Sequence, residues 1–191
     1  MATPSLELTD LLDSASASSE AEFVAEFPHP VFVPEKICSG VLADRRGSVG
    51  TGTMLLGPRE RGGSLKLKPA KLLVLHKEPT KGRLDRFDDG AGLGTWISVG
   101  RQSDSEVMVN DFSVSKVHAR VRTNQESFEI EDLGSNNGTT LNGVQLSAGV
   151  GTPLSSGDRI RFGRVELRFY STAALYRLLP NPGSGRGPST T

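Results

Sequence analysis

The stretch from Trp96 to Phe169 is written in period two. Val107 and Val109 stand two apart. Val117, Ala119 and Val121 alternate with His118, Arg120 and Arg122, and Phe128 and Ile130 alternate with Glu129 and Glu131. Ile160 and Phe162 alternate with Arg159 and Arg161, and Val165, Leu167 and Phe169 with Glu166 and Arg168. Successive side chains on a strand point to opposite faces, so each segment carries one apolar and one charged face. Segments of this kind bury their apolar faces over a shared core, which predicts an all-β sandwich of two antiparallel-rich sheets. Asn142-Gly143, between Thr139-Thr140-Leu141 and Val144-Gln145-Leu146, predicts a two-residue hairpin in which both turn residues take φ > 0. Ser156-Gly157-Asp158 reads as a further turn. Residues 72–75 are expected as the first strand, 82–87 as a weaker second, and 96–99 as the next.

The flanks read differently. Leu8, Leu11, Leu12 and Ala15 recur at helical spacing, as do Phe23 and Phe27, and Pro28 and Pro30 end the helical character. Val31-Phe32-Val33 and Thr53-Met54-Leu55-Leu56 are expected as short strands, 39–52 as loop and 57–63 as linker. Ser171 or Thr172 is placed to cap a helix over 173–179, which Pro180 stops. The expected organisation is a partly helical N-terminal extension or adaptor segment at 1–63, the sandwich at 70–171, a short helix at 172–179 and a disordered Gly/Pro/Ser-rich tail at 180–191.

Composition narrows the function classes. Lys plus Arg and Asp plus Glu are 22 each, so the net charge is zero and bulk electrostatic binding to nucleic acid or membrane is not expected. The single Cys38 makes no intrachain disulfide and fits a reducing cytoplasm. The N-terminus shows no basic-then-apolar leader, and no run of about 20 apolar residues would span a bilayer. No Walker-type loop or metal-ligand spacing is present, and Gly50-Thr51-Gly52 lacks a strand–helix context. Ser115 has no Gly-x-Ser-x-Gly frame, and His29 and His76 lie in contexts unrelated to His118. No catalytic residue, metal or cofactor is expected.

Three clusters punctuate the alternation: Gly100-Arg101, Ser115-Lys116-Val117-His118, and Gly134-Ser135-Asn136-Asn137-Gly138-Thr139. Together they hold a guanidinium, a hydroxyl, amides, and glycines that let a backbone come close. This is the donor set of an anion site, and it predicts a phosphorylated side chain as ligand.

Ile97-Ser98-Val99-Gly100-Arg101, Val114-Ser115-Lys116-Val117-His118-Ala119, and the run from Asp132-Leu133-Gly134 to Asn142-Gly143, in this order, resemble the forkhead-associated (FHA) domain pattern. Gly157-Asp158-Arg159-Ile160 and Val165-Glu166-Leu167 are similar to its closing hairpin. The resemblance covers about 70–171. It implies a sandwich of about eleven strands that binds phosphothreonine peptides through loops at one end. By the same resemblance Arg101 contacts the phosphate, Ser115 donates its hydroxyl to it, and Asn137 bonds the peptide backbone. Lys116 adds a point charge, and Asn136 stands where the family usually has Thr or Ser. Gly100, His118, Gly138, Thr139 and Asn142 are expected to shape and brace the loops. The implied partner is a phosphothreonine-containing protein, a Ser/Thr kinase or its substrate. The alternative is a phosphate-independent scaffold that uses the acidic N-terminal helix and the 173–179 helix as contact surfaces.

Overall fold

The computed structural model describes residues 5–37, 71–75, 94–124, 127–180 and 182–183. The strands expected at 53–56 and 82–87, the loop at 39–52, the linker at 57–63, Cys38 and most of the tail lie outside the described residues.

Two sheets face each other. The first runs β1 (Ser5–Glu7), β3 (Lys71–Val74), β2 (Val31–Ile37), β12 (Val165–Tyr170), β11 (Arg159–Phe162), β8 (Thr139–Leu141) and β9 (Val144–Gln145). The second runs β10 (Thr152–Pro153), β7 (Ser127–Asp132), β6 (Ala119–Asn124), β4 (Thr95–Gly100) and β5 (Val107–Met108). Among the described residues every strand pair is antiparallel except β4 with β5. The expected sandwich is thus present. The 1–63 segment supplies β2, which lies hydrogen-bonded between β3 and β12. Its register against β12 shifts where Leu167 faces Pro34 and Glu166 faces Lys36. A proline cannot donate to the ladder, and a bulge is where strands tolerate one.

The alternating faces sort into layers. Between the sheets lie Phe32, Ile97, Val121, Ile130, Phe162 and Phe169, all at most 2% exposed. The outer face of the seven-stranded sheet is covered in part by α1 (Leu8–Ala17), α2 (Glu20–Glu26) and α3 (Thr172–Leu178). There Leu11, Phe23, Val31, Val33, Tyr170 and Leu175 form a second apolar cluster. Phe23 lies 5.0 Å from the Phe27 ring and 5.2 Å from Tyr176. The helical character of the N-terminal residues resolves into β1 and two helices. Ser19 separates the helices as N-cap of α2 in a reciprocal capping box with Glu22. Ser171 caps α3. No helix among the described residues is long and apolar enough to cross a membrane.

The outer face of the five-stranded sheet is covered by charge instead. The Arg120 and Arg122 guanidiniums lie 3.9 and 5.2 Å from the Trp96 ring centroid and pair with Glu131 and Glu129.

Candidate functional site

Arg101 leaves β4 at Gly100, and the end of that strand is zipped to the segment carrying Ser115. The Arg101 N–H donates to the Ser115 carbonyl at 2.9 Å, Gln102 N–H to Lys116 O at 3.3 Å, and His118 N–H to Val99 O at 2.9 Å. A Cβ on residue 100 would stand 2.2 Å from the Lys116 carbonyl oxygen, so only glycine permits this approach. The Arg101 side chain is exposed, and its Nε donates to Val114 O at 3.1 Å. That bond ties the side chain to the loop that carries Ser115.

Ser115 is held from both sides. Its N–H donates to His118 Nδ1 at 2.9 Å, and its Oγ accepts the Asn136 N–H at 3.0 Å. A hydroxyl that accepts from an amide still has its own proton to donate. His118 is fully buried. Because Nδ1 accepts, the ring proton sits on Nε2, which donates to Gly138 O at 3.2 Å. Burial pushes the His118 pKa below the ordinary imidazole value, against the Gly138 carbonyl and the Asp132 carboxylate, which favour the charged form. The strand alternation expected from Val117 breaks here. His118 turns inward, edge-on to Phe162 at 5.4 Å, and β6 begins at Ala119.

The third cluster closes the end. Asn137 Nδ2 donates to Ser113 O at 2.8 Å. Gly138 takes φ +72°. Thr139 is buried, and its Oγ1 donates to Asp132 at 2.6 Å. Arg101, Ser115, Lys116, Asn136 and Asn137 therefore meet on loops at one end of the sandwich, with Lys116 and Asn136 exposed. Gly100, His118, Gly138 and Thr139 lie directly behind them. Asn142 does not join them. It sits at the far end of β8 in the left-handed turn, φ 52°, where it accepts from Arg159 N–H and donates to Asp158.

Sequence reasoning overlooked two carboxylates. Asp132, 3% exposed, accepts from the Gly134 and Ser135 N–H groups, from Ser135 Oγ and from Thr139 Oγ1. Burial pushes its pKa up, but the hydrogen bonds from Thr139 and Ser135 outweigh this and hold it below the usual value. An Asp followed by Gly-Ser two residues on is an Asx-turn pattern, so this signal was available locally. Asp111, 6% exposed, is also pushed up by burial and held below the usual value by Arg164 and Ser113. Its partner Arg164 is 53 residues away and had no local signal.

A family model for the FHA domain matches residues 97–163. The oxoglutarate dehydrogenase inhibitor of Corynebacterium jeikeium is 35% identical over 98 residues, 51% of this chain and 62% of that protein. The same-named protein of Corynebacterium glutamicum is 30% identical over 134 residues, 70% of this chain and 85% of that protein. The chain thus spans less than two thirds of the first relative and most of the second. Among solved structures, the FHA domain of the CT664 protein of Chlamydia trachomatis is 26% identical, covering 41% of this chain and 78% of that one, with a TM-score of 0.38.

Proposed function

This chain belongs to the FHA-domain family, and on that premise we propose that the loop end of its sandwich binds proteins carrying phosphothreonine. The observation that carries the reading is the convergence on Ser115. Its carbonyl takes the Arg101 backbone N–H and its hydroxyl takes the Asn136 backbone N–H, so the segments that carry a cation, a hydroxyl and an amide are joined at this residue.

A phosphothreonine brings close to two negative charges and acceptor oxygens. Arg101, anchored through Nε, offers its remaining N–H groups as charge-assisted donors. Ser115 donates its hydroxyl proton. Lys116 adds a point charge without a fork. The Asn137 carboxamide is oriented by Ser113 O, which leaves Oδ1 to accept a peptide N–H. The exposed Asn136 side chain lies at the rim beside Ser115.

The binding unit in this reading runs from β2 to β12, with the three helices as a buttress on one face. It works as a binding module rather than an enzyme, recruiting a Ser/Thr kinase or its substrate in the cytoplasm. The test is a phosphothreonine peptide library screened against the wild type and Arg101→Ala. Peptides selected by the wild type are expected to lose at least about tenfold in affinity with the variant, the scale of a lost charge-assisted contact. A library that does not distinguish the two proteins overturns the reading.

A further inference from the structure

We infer that Arg164 is a positioning residue for the phosphopeptide site, acting from the β11–β12 turn through the loop that follows β5. The inference rests on the phosphothreonine reading of that site.

All three principal ligand candidates hang on one short segment, residues 111–115. Asn137 Nδ2 is held by Ser113 O, Arg101 Nε by Val114 O, and Ser115 is itself a member. Beyond its own backbone hydrogen bonds, the segment is held by a residue 53 positions later. Arg164 Nε lies 3.1 and 3.0 Å from the two Asp111 carboxylate oxygens, and Nη2 lies 2.8 Å from Oδ2. Asp111 Oδ1 accepts the Ser113 N–H at 2.9 Å, and the Ser113 hydroxyl accepts the Arg164 N–H at 3.0 Å. The guanidinium also stacks 4.1 Å from the Phe112 ring centroid. At Gly163, φ +58°, a Cβ would stand 2.5 Å from Ser113 O, so the turn presses directly on the segment.

Most ion pairs at a surface contribute little. This one differs. The Asp111 side chain is only 6% exposed and the contact is forked, so removing the guanidinium leaves a carboxylate already withdrawn from water. The segment then relaxes, Ser113 O and Val114 O move, and the bond partners of Asn137 and Arg101 go with them. A site that is competent only a fraction of the time binds with an affinity reduced by that fraction. The loss falls on association, because the minority of molecules with an ordered loop hold the peptide as before.

The experiment measures Kd, kon and koff for one phosphothreonine peptide and its unphosphorylated twin. The proteins are wild type, Arg101→Ala, Arg164→Ala and Arg164→Lys in the full chain, at a temperature where circular dichroism shows each folded. Arg164→Ala is expected to weaken binding about tenfold, chiefly through kon, if the ordered loop falls to about a tenth of the population. Arg164→Lys keeps the charge but loses the fork and should recover part of the affinity. In an Asn137→Ala background the further loss on Arg164→Ala should shrink, since the two share Ser113. If Arg164→Ala does not fold, Arg164→Lys alone decides, with a reduced kon expected. An unchanged Kd, or a loss confined to koff, where Arg101→Ala still weakens binding at least about tenfold overturns the positioning role and leaves the phosphothreonine reading intact. A wild type that binds both peptides equally overturns the reading itself.

Discussion

Phe23 in the helical layer and Ser113 in the loops are both buried, at 0% and 1% exposure, and they are held by different means. Phe23 sits in one cluster with Phe27, Tyr176 and the aliphatic residues of β2 and β3. Ser113 is fixed by Asp111, Arg164 and Asn137, one hydrogen bond to each of its polar atoms. Apolar burial is non-directional, so the helical layer gains stability without specifying any atom to a fraction of an ångström. Hydrogen bonds among desolvated groups are directional, and they order the loops at the cost of sensitivity to any missing partner. The positioning a phosphate site needs is found in the second region, and bulk stability in the first.

Four changes break or sharpen that contrast. Phe23→Ala should cost about 3–5 kcal/mol in denaturant unfolding, the usual range for a fully buried phenylalanine. Phosphopeptide Kd measured well below the unfolding midpoint should not move. Asp132→Ala should cost less stability, about 1–3 kcal/mol, because it strands the Gly134, Ser135 and Thr139 donors. It should nevertheless weaken phosphopeptide binding more than Phe23→Ala does, as read by calorimetric titration.

Acidification is the third. Burial holds the folded-state pKa of His118 below the ordinary imidazole value, so the unfolded chain takes up the proton first. Stability is then full above about pH 6.5 and declines as pH falls toward the folded pKa. His118→Gln should flatten that decline in a pH series of unfolding curves. The decline is separable from the loss of phosphate charge near pH 6, which lowers affinity without lowering stability. The smallest effect is expected from Arg177→Ala. The Glu20–Arg177 pair ties α2 to α3 at 2.6 Å, but the arginine is exposed, and the unfolding midpoint should shift by no more than experimental error.

How far each region was legible follows from the range of its interactions. Period two marked β7, β11 and β12 because their alternation is local, and β11 shows it cleanly, exposed at Arg159 and Arg161 and buried at Ile160 and Phe162. The alternation misplaced Val117 and His118, since hydrogen bonds to Ser115 and Gly138 draw a polar ring inward where the pattern alone would put it outside. The Asn142-Gly143 turn was readable, but its place on the far end of β8 was not, because that depends on pairing with β11. The helical spacing of Leu11, Leu12 and Ala15 was plain in the chain. The sheet face that the helix covers was not, since it is set by β2 and β12, more than a hundred residues apart. The Asp111–Arg164 lock is invisible to any local pattern for the same reason.

The central claim is that ligand is read at the polar loop end and not at the helical face. Backbone amide NMR shifts recorded while one phosphothreonine peptide is titrated in test it directly. The account predicts that Arg101, Ser115, Asn136 and Asn137 move in proportion to occupancy, that Phe23 and Leu175 stay still, and that the unphosphorylated peptide moves none of them. Shifts centred on the helices, or equal shifts from both peptides, would contradict it.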